Sequence, residues 1–378
     1  MQKKIDKISV GILTFHYAHN FGAVLQAYAM KMFLQSNGYI TEIINYQNKK
    51  LCKRYQENLP FSFAARRRDW LVPWRWPNLI KSNNWRNYTN KDWHKQCSRF
   101  KEFQNCYLID KETQAISKDK ICTLPFDAII YGSDQIWDTG ITGKNETVYW
   151  GTHVNNGCRK IAYGASIYTA ELDCIEKKKV IKYLSSFFSL AVREQALAKQ
   201  IENILNRTVE TVVDPTLLIP CDYYLKIINV TNVYKSYALV YTVSDSIELL
   251  NAVQKLGIPI KWLHYYKSIN LKLDDVEDIA DAGPIEFLEL IYGAEYVITN
   301  SFHGTVFSIL FRKKFCAVYD ENIRIENLLE AAHMKEAHVK NVRDINTDRM
   351  LVSSDYNLEQ LEKHVNISKK YLLNSLAM

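Results

Sequence analysis

The first apolar run, Ile8 to Phe15, is interrupted only by small or hydroxylated residues. A short run of this kind bounded by turn residues is the pattern of a strand buried on both faces. Asn20-Phe-Gly22 predicts a turn. Ala23 to Ser36 predicts a helix with Leu25, Tyr28, Met32 and Phe33 near one face and Gly38 as its stop. Thr41 to Tyr46 predicts a second strand, and strand–helix–strand at this spacing implies parallel pairing through a right-handed crossover. The rhythm breaks between Lys49 and about Pro125. It resumes with strands at Phe126–Gly132, Lys160–Gly164, Phe187–Arg193 and Thr211–Asp214, and helices at Leu172–Ser186 and Glu194–Leu205. A further set follows, with strands at Tyr237–Val243, Ile260–Tyr266, Tyr296–Thr299 and Phe315–Tyr319. Its helices fall near 245–256, 284–293, 304–312 and 323–333. Asn357 to Ala377 predicts a polar-faced helix.

This alternation predicts an α/β chain of two Rossmann-like domains facing a cleft. The expected division is residues 1–222, interrupted by an insertion at about 49–125, then 223–345, then a helical tail at 346–378. In open sheets of this type, ligands bind at the carboxyl ends of the strands. The segments that follow strands are therefore where chemistry is expected.

Composition narrows the picture. With 47% apolar residues the chain can build real cores. No window approaches the ~18 consecutive apolar residues of a membrane-spanning helix. The sequence begins without the apolar stretch and small-residue cleavage site of a signal peptide, so a cytoplasmic location is expected. The eight cysteines include no Cys-x-x-Cys pair, so they are expected to be reduced, mostly buried thiols, with no metal site. The net charge of +7 is concentrated. Between Lys49 and Lys101, fourteen Lys and Arg face three acids, a balance of +11 that leaves about −4 for the rest. Arg66, Arg67 and Arg68 lie here, with Trp70, Trp74, Trp76, Trp85 and Trp93, five of the eight tryptophans. Such a segment suits an anionic membrane surface or a lipid pyrophosphate. An ordinary charged insertion is the plainer alternative. Nucleic acid is not expected, because no recognition motif accompanies the aromatics.

Several strand-following segments carry candidate chemistry. Ser301-Phe-His-Gly304 lies between a strand and an apolar helix, where free N–H groups and the positive end of the helix dipole suit an anion. Its plainer alternative is a capped helix start, with Ser301 as the cap and His303 packed. His16 to Gly22, with Asn20 and Gly22, holds the equivalent place after the first strand; the alternative is a tight turn with Asn20 as cap. Tyr131-Gly-Ser-Asp-Gln-Ile-Trp137 offers Ser133 and Asp134 as cleft residues or as helix caps. Asp214 in Val213-Asp-Pro-Thr216 offers a polar strand end or a structural turn. Arg193 and Arg324 each follow a strand and could clamp an anion or lie on a solvated face.

Together these segments resemble the polysaccharide pyruvyl transferase family. The matching pieces are Gly11 to His16 with Asn20 to Tyr28, Tyr131 to Trp137, Ala191-Val-Arg-Glu194, Val213 to Thr216 and Thr299 to Thr305. They occur in the family's order and span residues 8 to about 330. The resemblance implies a GT-B-like fold and phosphoenolpyruvate as donor substrate, with no cofactor. It implies a sugar hydroxyl pair as acceptor, usually on a lipid-linked repeat unit of a bacterial surface polysaccharide, and a pyruvate ketal as product. His303 is then the expected catalytic residue, with Ser301, Gly304, Asn20 and Gly22 on the donor side. Many members carry an arginine where this chain has Ser301, so the anion-binding role passes to Arg324 and Arg193. A glycosyltransferase of the same fold using a nucleotide sugar, and a non-catalytic membrane-docking module, are the competing readings.

The basic segment yields the first prediction. Each basic residue near an anionic leaflet contributes about 1 kcal/mol, and salt screens the attraction. Replacing Arg66, Arg67 and Arg68 with Ser should reduce sedimentation with anionic vesicles. Wild-type chain that fails to sediment at low salt would show that this segment does not hold the membrane.

Overall fold

The computed structural model describes residues 7–54, 91–110, 113–155, 157–229, 236–242, 247–264, 275–345 and 356–377. The six residues Arg66, Arg67, Arg68, Trp70, Trp74 and Trp76 lie outside this set. The chain divides into two compact units. The first takes in residues 1–53, 103–219 and 362–378; the second takes in 54–102 and 220–361.

The first unit is built on β1 (Ser9–Leu13), α1 (Phe21–Ser36), β2 (Ile40–Ile43), β3 (Ala128–Tyr131) and β4 (Arg159–Ala162). The sheet runs β2-β1-β3-β4 with every pair parallel. Bridges Ile161–Ser189 and Ala165–Val192 carry the order on to β5 (Ala191–Val192), which pairs in parallel with β6 (Glu210–Thr211). All four residues of β3 are buried, as a strand covered on both faces requires. Helix α1 buries twelve of its sixteen residues. Helix α2 (Cys174–Tyr183) begins at a reciprocal cap, in which Asp173 accepts from the Glu176 amide (2.7 Å) and Glu176 accepts from the Asp173 amide (3.1 Å). Helix α3 (Gln195–Leu205) presses Leu197, Ala198 and Ile201 inward and ends on Asn206 in the left-handed region.

The second unit holds β7 (Ala238–Tyr241), α4 (Ile247–Gln254), β8 (Ile260–Leu263), β9 (Val276–Ile279), α5 (Pro284–Gly293), β10 (Tyr296–Thr299), α6 (Phe302–Leu310), β11 (Lys314–Val318), α7 (Ile323–Ala331) and β12 (His338–Val339). The order is β12-β11-β10-β7-β8-β9, again parallel throughout. Counted within the unit this is 3-2-1-4-5-6, the arrangement of dinucleotide-binding sheets. Ala238, Val240, Trp262, Ile298 and Cys316 form one side of its core with Leu249, Leu250 and Val253 of α4.

Two parts of the chain fall differently from the sequence expectation. Residues 91–103 are helical, and up to Glu102 they belong with the second unit rather than with an insertion of the first. The cause is a charged clasp. Arg99 pairs with Asp281 (3.1 Å) and Glu286 (2.8 Å), and Lys95 with Asp281 (2.5 Å). The C-terminal helix α8 (Glu359–Leu376) is no separate tail, because it packs on the first unit. Tyr371 donates to the Ala162 carbonyl (3.0 Å), Ser368 accepts from the Val213 amide (3.0 Å), and Arg159 binds the Ser375 carbonyl (3.0 Å). The cysteines are all free, but only Cys97 and Cys316 are buried; Cys106, Cys122 and Cys174 are exposed and the rest half-buried.

Leu372 is fully buried in α8. Leu372→Ala should cost about 2–5 kcal/mol, read as a lowered urea midpoint of the transition that reports on the first unit. An unchanged midpoint would contradict the docking of α8.

Candidate functional site

In the second unit, β7 and β10 are neighbours although β8 and β9 intervene in sequence. Their connections leave toward opposite edges, which opens a crevice at the carboxyl ends of the pair. Thr299 Oγ1 spans this crevice by donating to the Tyr241 carbonyl (2.8 Å), and it accepts from the Ser301 amide (3.0 Å). Ser301 is the N-cap of α6, its hydroxyl accepting from the Gly304 amide at 3.4 Å. The first-turn amides of α6 therefore converge beside the half-buried His303, whose ring meets Phe302 edge-on at 5.1 Å. Gly304 is required here on steric grounds. A Cβ would collide with Thr299 Oγ1 and stand 2.9 Å from the Tyr241 ring.

Arg324 occupies the second position of α7, whose cap is Asn322. That helix follows β11, which pairs with β10 in register, Thr299 opposite Ala317. Ser301, His303, Gly304 and Arg324 are thus brought to one strand edge. Helix-end amides, an imidazole and a guanidinium make a surface suited to a small multivalent anion.

In the first unit the corresponding crevice lies between β1 and β3. Thr14 Oγ1 donates to the Ser133 carbonyl (3.0 Å) and accepts from Gln26 (2.8 Å). His16 is fully buried. One ring nitrogen pairs with the Thr14 carbonyl (3.2 Å) and the other with Asn45 Oδ1 (3.1 Å). Burial holds its pKa below the ordinary histidine value, against the opposing pull of those two bonds. Asn20 caps α1 by accepting from the Ala23 amide (3.1 Å), and Gly22 is buried in the first turn of that helix. Gly132 has φ +124°, and a Cβ there would strike the Tyr163 carbonyl. The Gly132–Ser133 peptide is cis and Asp134 has φ 74°. Neither Ser133 nor Asp134 caps a helix; Asp138 does so four residues later.

Ser133, Arg193 and Asp214 meet one another. Arg193 Nη1 lies 2.7 Å from Asp214 Oδ2, both side chains being almost wholly buried. Ser133 Oγ donates to the Gly164 carbonyl (3.1 Å) and lies 3.4 Å from the same Asp214 oxygen. Asp214 Oδ1 accepts from Thr216 through its amide (3.0 Å) and hydroxyl (2.7 Å). Burial alone would lower the Arg193 pKa, but Asp214, Glu194 and Asp134 more than offset it.

Sequence reasoning passed over a second network at this edge. Glu146 Oε2 accepts from Tyr46 (2.7 Å) and Asn48 (2.5 Å), its Oε1 from the Thr147 and Val148 amides, and its carbonyl from Lys179. Tyr17 donates to the Asn48 carbonyl and accepts from its amide. Burial drives the hydroxyls of Tyr17 and Tyr46 far above the ordinary tyrosine range. The one available signal was position, since Asn45-Tyr46-Gln47-Asn48 directly follows a strand. Among the described residues, no group of three His, Cys, Asp or Glu could hold a metal ion. No helix among them is long and apolar enough to cross a membrane.

The polysaccharide pyruvyl transferase family model matches residues 20–322, a stretch that takes in β3 and the β10–α6 turn. The chain belongs to the polysaccharide pyruvyl transferase family. The match includes the segments around Ser133, Arg193, Asp214 and His303, and stops two residues before Arg324. No curated protein sequence matches the chain. Among solved structures, UDP-N-acetylglucosamine 2-epimerase from Rickettsia bellii is similar at TM-score 0.52 with 10% identity, covering 98% of this chain and 96% of that one. The UDP-GlcNAc 2-epimerase from Neisseria meningitidis gives 0.50 and 10%, covering 98% and 99%. A 2-epimerase homologue from Listeria monocytogenes gives 0.51 and 8%, covering 97% and 91%. At this level of identity the likeness concerns the fold, which is α/β and GT-B-like.

Removing one partner of a buried ion pair leaves the other charge uncompensated, at about 3–5 kcal/mol. Asp214→Ala should therefore destabilise the first unit by that amount in urea unfolding. A change below about 1 kcal/mol would mean that the pair does not organise these strand ends.

Proposed function

We propose that this family member transfers a pyruvyl group from phosphoenolpyruvate to two hydroxyls of a sugar, forming a pyruvate ketal. The supporting observation is the β10–α6 turn. A capped helix start, a half-buried histidine and an arginine from the next βα connection share one strand edge. Phosphoenolpyruvate is compact and highly charged, so its phosphate and carboxylate need such a set of donors. The α6 amides take one anionic group and Arg324 the other. Arg324 is favoured over Arg193 for this role because the Arg193 guanidinium is already buried against Asp214. Asn20, Gly22, His16, Ser133, Asp134 and Asp214 serve the shape of the first unit's edge.

The reaction needs a proton delivered to the donor methylene, which leaves positive charge on the adjacent carbon, and a base for the attacking hydroxyl. An imidazole can do either near neutral pH. His303 adjoins the anion-binding amides and is assigned proton delivery. The acceptor is a sugar of a lipid-linked repeat unit, presented at an anionic membrane face to the basic segment around Arg66–Arg68.

His303→Ala should lower transfer by ~10²–10⁴-fold with the fold unchanged. Arg324→Ala should weaken phosphoenolpyruvate binding by about 1.5–3 kcal/mol in titration calorimetry. Transfer by His303→Ala within threefold of wild type would remove it from the mechanism, and unchanged donor affinity would do the same for Arg324.

A further inference from the structure

Among the described residues, two buried polar atoms of the second unit lack a hydrogen-bond partner and belong to residues that follow neighbouring strands on the edge that carries Ser301. They are His264 Nδ1 and Thr242 Oγ1. Each residue is 1% exposed. They directly follow β8 and β7, whose last residues, Leu263 and Tyr241, are in register. Their backbone amides are satisfied, Thr242 by the Leu263 carbonyl (3.4 Å) and His264 by the Ile279 carbonyl (3.3 Å). Only the side-chain atoms are left over. Buried polar atoms of this kind call for a partner that the described residues do not supply.

The imidazole is also fixed in orientation. Its Nε2 lies 2.5 Å from Asp278 Oδ1 on β9, and its ring lies over Trp262 at 4.3 Å between centroids. With Nε2–H donating to the carboxylate, the neutral ring carries its lone pair on Nδ1. A carboxylate that orients an imidazole through one ring nitrogen and leaves the lone pair on the other is the arrangement used for general bases. A hydroxyl group fits the pair, because it can accept from Thr242 and donate to His264 Nδ1.

Tyr241, Leu263 and Thr299 share one register across β8-β7-β10. His264 and the β10–α6 turn are thus two strand spacings apart, roughly 10 Å at ~4.8 Å per strand. Thr242 and His264 lie on the α4 side of the sheet with Val240 and Trp262. Tyr241 faces Phe287 of α5 on the other side.

We infer that Thr242 and His264 form a hydroxyl-binding subsite for the acceptor sugar, and that His264, oriented by Asp278, is the base for the attacking hydroxyl. The inference rests on the pyruvyl-transfer reading. The acceptor O–H bond breaks and its proton passes to His264 Nδ1. The oxygen lone pair forms the C–O bond to the donor carbon, made electrophilic when His303 gives its proton to the methylene. Both histidines then return to their starting protonation by exchange with water. The second hydroxyl attacks the same carbon, its C–O bond to phosphate breaks, and the second proton leaves with the phosphate.

The test uses the full chain labelled with 15N-histidine, with the His264 signals assigned by their loss in His264→Gln. Long-range proton–nitrogen correlation should show the Nε2–H tautomer. Methyl glycosides of glucose, galactose and N-acetylglucosamine are added singly as hydroxyl probes. At least one should move the Nδ1 resonance in wild type and none should in Thr242→Val. In transfer assays His264→Gln should lower kcat by ~10²–10⁴-fold, with phosphoenolpyruvate affinity, measured by calorimetry, within twofold of wild type. Asp278→Asn should lower kcat in the same direction with the same unchanged donor affinity. A glycoside shift in a chain that transfers no pyruvyl group would support the subsite and count against the reaction. A resting Nδ1–H tautomer, an Nδ1 signal unmoved by every glycoside, or His264→Gln turning over within threefold of wild type would overturn the proposal, leaving an ordered water as the partner of the two atoms.

Discussion

Every strand pair among the described residues is parallel, and the placement of the functional groups follows from that constraint. Parallel strands send every βα connection out of the same edge, so caps, turn residues and helix starts gather there. Where the strand order reverses, neighbouring connections part and leave a crevice. The first unit does this between β1 and β3, the second between β7 and β10. Thr14 Oγ1 and Thr299 Oγ1 cross the two gaps in the same way, each donating to a carbonyl on the opposite side.

The two edges then differ in chemistry. In the first unit the charged groups satisfy one another: Arg193 with Asp214, Ser166 with Glu194 (2.7 Å), and Glu146 with Tyr46 and Asn48. The Arg193 guanidinium is almost wholly buried and is held in place by Asp214, which fixes the shape of its loop. In the second unit the same kind of edge presents helix-end amides, a half-buried imidazole and Arg324. This contrast is why the proposed donor site is assigned to β10, β11 and their helices.

Much of the element order was legible because parallel strands buried on both faces are continuous apolar runs, as in Ala128–Tyr131 and Tyr296–Thr299. The caps at Asn20 and Ser301 were legible from residue type and spacing. Strands β9 and β12 were not. Val276-Glu-Asp-Ile279 lies on an open edge, where exposure removes the pressure for apolar residues, and His338–Val339 is only two residues long. The fate of the C-terminal helix was hidden as well: Leu372 and Leu376 are buried, but Ser368 and Ser375 interrupt the apolar stripe, and hydrogen bonds from Tyr371 and to Ser368 complete the docking. At the site, segments following strands pointed to His303, Arg193 and Asp214, but sequence could not tell a guanidinium paired inside the protein from one facing a ligand. That distinction depends on contacts between residues 21 positions apart.

The central claim is the chemistry carried out at the β10–α6 edge. Its most direct test is to incubate the purified chain with phosphoenolpyruvate and lipid-linked oligosaccharides, and to weigh the acceptors by mass spectrometry while measuring inorganic phosphate. The account predicts an acceptor heavier by pyruvate less one water, with an equal amount of phosphate released. An acceptor unchanged by phosphoenolpyruvate but extended by a whole sugar from a nucleotide-sugar donor would contradict it.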